Sequence, residues 1–157
     1  ALIGKYFNVP LPLIREALEA YRAENNRSQL LEKNGLEIIL DAYNANPSSM
    51  KAALESFAKR DAGRKIAILG DMFELGEAAM EEHTAIGTAA LSSGFETLYL
   101  VGKHFEATGL PAKRFADYES LRKHLLAHPV EGPASILIKG SRGMALERIL
   151  EVWDKKE

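Results

Sequence analysis

The sequence lacks cysteine and has no marked excess of either charge among its 157 residues. Without cysteine there is no disulfide framework, no thiolate metal site and no thiol nucleophile, and a reducing compartment is permitted. Lys and Arg number 20 against 22 Asp and Glu, and a net charge of −2 provides no global field for nucleic acid or an anionic membrane. No apolar run approaches the ~20 residues that a membrane-spanning helix needs. We therefore expect neither nucleic-acid binding nor membrane insertion.

The residues that are present describe a folded domain. Hydrophobic residues make up 46% of the chain and charged residues 27%, the mixture of a soluble globular protein. Apolar runs typical of strands alternate with amphipathic stretches, and an Asn34-Gly35 pair between two such runs predicts a hairpin. The sequence thus predicts an α/β fold, a Rossmann-like and mostly parallel sheet with helices on both faces and one antiparallel hairpin near its start. The last predicted element is a helix over residues 142–154.

The first 24 residues predict two short helices with apolar stripes, which so small a hairpin cannot bury by itself. We expect residues 1–24 to be the helical tail of a preceding domain, residues 25–28 a linker, and residues 29–157 the domain proper. The chain opens on alanine, inside what looks like a helix, and we interpret it as a piece of a longer protein.

Ligands of open α/β sheets bind beyond the carboxyl ends of the strands, so the polar residues there are the candidate site. Asp41 follows the most apolar strand and can accept hydrogen bonds from a ribose. Asn44 and Asn46 can bind a polar ligand, or they can cap the next helix, as Asn before Pro-Ser favours.

Two further strand ends carry candidate residues. Asp71 follows Gly70 and precedes a group of acids with His83, which fits either a divalent cation or a helix start that complements its dipole. The structural interpretation is favoured for His83, since no second histidine lies at ligand spacing. The segment Lys139-Gly-Ser-Arg142 fits either an anion at a helix N-terminus or a capped turn.

Arg27, in the predicted linker, can reach a phosphate across a cleft, although an exposed linker arginine is usually only solvated.

Taken together, four segments resemble the C-terminal third of a Mur ligase. They are Asn-Asn-Arg-Ser-Gln (25–29), Asp-Ala-Tyr-Asn-Ala-Asn-Pro (41–47), Leu-Gly-Asp-Met-Phe-Glu-Leu-Gly (69–76) and Lys-Gly-Ser-Arg (139–142). The resemblance implies an ATP-dependent amide-bond ligase of peptidoglycan synthesis. Such an enzyme activates the terminal carboxylate of a UDP-MurNAc-tripeptide as an acyl phosphate, which the amine of D-Ala-D-Ala then attacks.

The resemblance also implies roles for individual residues. ATP contacts are implied for Asn26, Arg27, Asp41 and Tyr43. Substrate contacts are implied for Asn44, Asn46, Asp71, Lys139, Ser141 and Arg142. The family's P-loop, its Mg²⁺-binding acids and its carbamylated lysine lie in the central domain, and no matching motif occurs here. We therefore expect no catalytic or metal-binding residue in this chain, no activity from it alone, and ATP and Mg²⁺ held mainly by the rest of its own chain.

We expect the whole enzyme to be a cytoplasmic monomer whose other partners are its small-molecule substrates. Three alternatives remain open at this stage: another Mur ligase that adds a single amino acid, a folylpolyglutamate synthase, and a free-standing nucleotide-binding module.

Overall fold

The computed structural model describes residues 2–21 and 25–154. Two short helices come first, α1 (Leu2–Tyr6) and α2 (Leu11–Ala20), as the sequence predicts. Neither helix buries a residue, and most of their large apolar side chains are exposed, with Ile14 half-buried. Residues 1, 22–24 and 155–157 of the predicted segments lie outside the described residues.

A six-stranded sheet forms the centre of the described part of the chain. Its strands are β1 (Gln29–Lys33), β2 (Leu36–Asp41), β3 (Lys65–Gly70), β4 (Thr97–Val101), β5 (Lys113–Phe115) and β6 (Ala134–Lys139). The spatial order is β1-β2-β6-β3-β4-β5. Only β1 and β2 pair antiparallel, and the other neighbours are parallel. The predicted α/β fold with one hairpin near its start is confirmed.

The hairpin turn has the conformation that its sequence predicts. Lys33 pairs with Leu36, so Asn34 and Gly35 alone form the turn. Both have positive φ, 50° and 78°, as a tight type I′ turn requires.

Helices cover both faces of the sheet, which buries two separate cores. On one face lie α3 (Pro47–Ala58), α4 (Ala79–Leu91) and the short α5 (Lys103–Ala107). On the other lie α6 (Tyr118–Ala127) and the closing segment. The first core includes Met50, Leu54, Phe57, Ile86 and Phe105. The second includes Leu36, Ile38, Leu121, Ile136 and Trp153.

The segment predicted as one helix over residues 142–154 is helical but not continuous. Two 3₁₀ segments, Arg142–Met144 and Leu146–Trp153, stand in its place. Ala145 between them has φ 47° and ψ 44°, a left-handed conformation that interrupts a right-handed helix. Leu146 and Ile149, three residues apart, are both fully buried, a spacing that suits the tighter helix.

The order of the strands creates a crevice at the ends of β2 and β6. These strands are neighbours, but the chain leaves β2 into α3 on one face and leaves β6 into the closing segment on the other. Such a divergence opens a ligand crevice at the carboxyl edge of the sheet.

None of the described helices is both long and apolar enough to span a bilayer.

Candidate functional site

A buried ion pair joins the ends of β2 and β6. Asp41 and Lys139 are register partners on these parallel strands, so their side chains lie on the same face. Lys139 Nζ donates to Asp41 Oδ2 at 2.6 Å and to the carbonyl oxygen of Asn44 at 3.1 Å. The lysine side chain is 2% exposed and the aspartate side chain 20%. Lys139 is therefore a buried structural partner of Asp41, whose carboxylate still reaches the surface.

The predicted linker is fastened to the end of β2. The backbone N–H of Ser28 donates to Asp41 Oδ1 at 3.2 Å, and that of Tyr43 donates to the carbonyl oxygen of Asn26 at 3.1 Å. These two bonds hold Arg27 at the mouth of the crevice.

Two guanidinium groups flank the ring of Tyr43. The Cζ atom of Arg27 lies 3.9 Å from the ring centroid and that of Arg142 lies 5.3 Å from it, within the range of cation–π attraction. Arg27, through hydrogen bonding and then its charge, lowers the pKa of the Tyr43 phenol, and the charge of Arg142 adds to the effect. The arrangement concentrates positive charge beside an aromatic face, which suits a phosphorylated or otherwise anionic ligand.

This charged group borders two cavities. The larger, of about 810 Å³, is lined by Tyr21, Asn25, Asn26, Arg27, Ala42, Tyr43, Arg142 and Glu147, and we call it the arginine cleft. The smaller, of about 400 Å³, is lined by Arg27, Asp41, Tyr43, Asn44, Asn46, Ser49 and Lys139. Eight of the ten predicted binding residues thus lie at these two cavities, and the exceptions are Asp71 and Ser141.

Asn46 has the capping role that its sequence context allowed. Its Oδ1 accepts the backbone N–H of Ser49 at 2.9 Å, and Ser49 Oγ accepts the backbone N–H of Asn46 at 3.1 Å, which forms a capping box at the start of α3. Asn44 is exposed, and its Oδ1 accepts the N–H of Ala45 at 2.9 Å. Of the two side-chain amides, that of Asn46 has the structural role, because it caps a helix, whereas among the described residues that of Asn44 bonds only the next one along the chain.

Asp71 lies away from the arginine cleft, with its carboxylate used inside the protein. It is 3% exposed, and its oxygens accept the backbone N–H groups of His104 and Phe105 at 3.0 Å each. The Nε2 atom of His83 accepts the N–H of Met72, and its Nδ1 lies 2.6 Å from the carbonyl oxygen of Ala79, so the ring is a neutral imidazole. Burial lowers the pKa of His83.

Ser141 is likewise occupied by the fold. Its hydroxyl oxygen accepts the N–H of Phe73 at 2.9 Å, and it makes no cap to the turn that follows. The expected helix N-terminus after Ser141 is a three-residue 3₁₀ turn. Because the charge of Lys139 is paired with Asp41, the positive charge that this segment presents to a ligand comes from Arg142, and no helix longer than this turn starts directly after Ser141 to form the expected anion site.

Sequence reasoning missed Glu147 and Asn25, which also line the arginine cleft. Glu147 follows the break at Ala145, which the sequence did not predict. In the continuous helix that was predicted, no sequence feature marks Glu147 as a binding residue. Asn25 belongs to the predicted linker and to the segment 25–29 that carries the resemblance, but no binding role was predicted for it; its φ of 59° is in the left-handed region that asparagine tolerates.

The described residues contain no group of three His, Asp or Glu side chains close enough to hold a metal ion. The acids near His83 therefore do not assemble a cation site in this part of the chain. The cleft itself suits phosphate groups, because its side chains offer two guanidinium groups and an aromatic ring.

Comparison with known proteins identifies the family. Residues 26–148 match the family model described as "Mur ligase, glutamate ligase domain". The chain is 34% identical over 133 residues to a protein of Rickettsia prowazekii named UDP-N-acetylmuramoyl-tripeptide–D-alanyl-D-alanine ligase, and the match covers 81% of this chain and 29% of that protein. The chain spans about a third of the length of such curated relatives.

Solved structures agree with this assignment. MurF from Acinetobacter baumannii matches with a TM-score of 0.77 and 26% identity, over 95% of this chain and 34% of that one. MurF ligase from Thermotoga maritima in complex with ADP matches with a TM-score of 0.74 and 26% identity, over 91% and 35%. A folylpolyglutamate synthase/dihydrofolate synthase from Yersinia pestis matches at 15% identity with a TM-score of 0.63, over 91% and 34%, which shows a shared fold alone. Because the family match covers most of the chain, the protein belongs to the Mur ligase family and carries its glutamate ligase domain.

Proposed function

We propose that this chain is the C-terminal domain of an ATP-dependent amide-bond ligase that joins D-Ala-D-Ala to a UDP-MurNAc-tripeptide in cytoplasmic peptidoglycan synthesis. The relatives that carry that name, at 34% and 35% identity in Rickettsia prowazekii and Escherichia coli, support this substrate pair. The MurF structure that holds ADP supports the nucleotide.

One observation carries the proposal. Arg27, Tyr43 and Arg142 form a cationic and aromatic wall on a cleft of about 810 Å³, at the carboxyl edge of the sheet. Phosphoryl transfer depends mainly on positioning and on stabilisation of charge, and guanidinium groups supply both. Such a wall serves a ligase that handles two phosphorylated species in turn: the nucleoside triphosphate that gives its γ-phosphoryl group to the substrate carboxylate, and the acyl phosphate formed by that transfer.

The residues divide the work between them. ATP supplies the phosphoryl group that activates the substrate carboxylate, with Mg²⁺ held mainly by the preceding domain. Arg27 and Arg142 neutralise phosphate charge, and the Tyr43 ring between them keeps both guanidinium groups oriented. Asp41, held by Lys139, keeps acceptor capacity at the crevice for a hydroxyl donor such as a ribose.

We also propose that residues 1–24 pack against the preceding ATPase domain and that residues 25–28 link the two. The exposed apolar side chains of α1 and α2 support this arrangement, since Leu2, Tyr6 and Phe7 are 84%, 80% and 69% exposed. Isolated stripes of this kind need a partner surface.

The test uses the full-length ligase, assayed by phosphate release with ATP, UDP-MurNAc-tripeptide and an acceptor. We expect turnover with D-Ala-D-Ala and at least 100-fold less with single amino acids, L-glutamate included. Equal or better turnover with a single amino acid would assign the chain to another member of the family. A preference for a folate substrate with glutamate would assign it to the folylpolyglutamate synthases.

The role of the cleft is tested in the same assay. Arg27→Lys keeps the charge but loses the planar fork, and we expect the KM for ATP to rise about tenfold, with a larger rise for Arg27→Ala. Lys51→Ala removes one positive charge from an exposed position of α3 and is the control, expected to leave the KM unchanged. An unchanged KM in both Arg27 variants contradicts the assignment of the cleft to ATP.

A further inference from the structure

Glu147, which lines the arginine cleft, has a carboxylate oxygen without a hydrogen-bond donor among the described residues. Glu147 is half-buried, and its Oε2 atom is shielded from solvent and has no hydrogen-bond partner within the described part of the chain. A shielded carboxylate oxygen without a donor costs free energy, because it has lost water and gained nothing in exchange. The position therefore suits a ligand that brings a donor with it.

The charges around Glu147 narrow the choice of ligand. It is the only acidic residue among the described residues that line the cleft, which also presents the guanidinium groups of Arg27 and Arg142. Within the described residues, no nitrogen of either arginine lies within 4.0 Å of a carboxylate oxygen of Glu147 as an ion pair. The cleft thus offers two cationic groups and one separate anionic group to a ligand.

The backbone holds Glu147 in this place. Leu146 beside it is fully buried, and the carbonyl oxygen of Arg148 on its other side accepts the Tyr118 hydroxyl at 3.3 Å. Ala145, in a left-handed conformation, precedes the 3₁₀ segment Leu146–Trp153 and separates its direction from that of the preceding turn. Because both neighbours are anchored, the carboxylate is presented by a fixed segment of the chain.

We propose that Glu147 binds the ammonium group of the dipeptide acceptor. The inference rests on the proposed function, in which an amine meets an acyl phosphate in one cavity. The guanidinium groups of Arg27 and Arg142 carry the charge that binds the acyl phosphate. Glu147 carries the opposite charge, which binds the ammonium group of the acceptor. An α-amino group with an ordinary pKa of about 7.7–8.0 is mostly protonated at neutral pH, and a charge-assisted hydrogen bond to it satisfies Oε2.

The test compares two ligands in full-length wild type and Glu147→Gln. Glu147→Gln keeps the shape of the side chain and removes its charge, and we expect the KM for D-Ala-D-Ala to rise tenfold or more with the KM for ATP within twofold. D-lactoyl-D-alanine, which has a hydroxyl in place of the amino group, is measured as an inhibitor. Wild type should bind it more weakly than D-Ala-D-Ala, and in Glu147→Gln this preference should shrink toward one.

Glu151→Gln is the matched control, since it removes the same charge from an exposed position of the same 3₁₀ segment and should leave both ligands unaffected. A rise in the KM for ATP alone, or an unchanged preference between the two ligands, overturns the assignment of Glu147 while wild-type turnover upholds the proposed function. Absence of wild-type turnover with D-Ala-D-Ala overturns the proposed function and this inference with it.

Discussion

Lys139 places an ammonium group inside the sheet, where 2% of its side chain is exposed. Its partner Asp41 is ten times more exposed, at 20%, and also accepts the N–H of Ser28. Because the lysine has less access to water than the aspartate, an unpaired Lys139 should destabilise the protein more than an unpaired Asp41.

We expect the two single variants to differ in stability. Asp41→Asn leaves a buried charge without its counter-ion and should lower the free energy of unfolding by about 3 kcal/mol, near the lower end for broken buried pairs. Lys139→Met leaves a carboxylate that water can reach and should cost less. The double variant should recover part of the loss, since it leaves no charge at the site. Urea unfolding of all four proteins measures this, and equal, additive losses would contradict it.

We expect His83 to make the stability of the fold depend on pH. Burial lowers its pKa in the folded protein, so below its ordinary value of about 6.5 the unfolded chain binds a proton that the folded chain does not. Stability should therefore be complete above pH 6.5 and fall as the pH decreases, by at most about 1.4 kcal/mol per pH unit for this one group.

The comparison variant is His83→Gln, which cannot titrate. Its free energy of unfolding should depend less on pH between 7.5 and 5.5 than that of the wild type. Part of the dependence should remain, because burial also lowers the pKa of His124. An identical pH dependence in both proteins would show that His83 does not contribute.

At the scale of elements, α3 begins at an N-cap formed by Asn46. The sequence offered two roles for this residue, helix cap and ligand contact. Asn46 and Ser49 form the reciprocal capping box. A ligand contact for Asn46 stays a prediction, and the two roles can be separated by replacing the amide while keeping the acceptor.

Asn46→Ala should destabilise the protein by about 1 kcal/mol, because α3 loses its N-cap, whereas Asn46→Ser keeps a capping oxygen and should cost little. Thermal unfolding measures both. Full-length activity then decides the ligand role: if Asn46→Ser is stable but loses activity, the amide also binds substrate. A stable Asn46→Ala variant would contradict the cap.

The elements that the sequence predicted share strong local signals. The Asn34-Gly35 turn requires positive φ at two positions, and strands such as β3 and β6 are continuous apolar runs that are buried on both faces. The sequence did not predict the helix α5, because its five residues are too few for an apolar period to appear. The closing helix was predicted as continuous because alanine carries no local signal for the left-handed conformation that Ala145 adopts and that redirects the chain.

At the scale of the whole molecule, the candidate site was predicted in kind but not in detail. Strand ends locate the crevice, where Arg27 and Tyr43 line both cavities, Arg142 lines the larger one and Asp41 the smaller one. Contacts between distant segments decide which polar side chains are hydrogen-bonded within the fold and which remain available to a ligand. The carboxylate of Asp71 reaches backbone N–H groups 33 and 34 residues away, and no local pattern encodes that.

The chain alone should release no phosphate from ATP in the presence of UDP-MurNAc-tripeptide and D-Ala-D-Ala, since the resemblance assigns the phosphate loop and the Mg²⁺ ligands to another domain. The full-length enzyme under the same conditions is the positive control. Addition of the separately expressed remainder of the enzyme should restore turnover in proportion to its concentration. Phosphate release by the chain alone, above a no-protein blank, would contradict the division of labour.

The two backbone bonds that fasten residues 26–28 to β2 have a mechanical consequence. They make Arg27 part of the sheet's rigid body, although its sequence position marks it as linker. Any movement of the sheet as a unit therefore carries the Arg27 guanidinium and the Tyr43 ring together, with the distance between them unchanged.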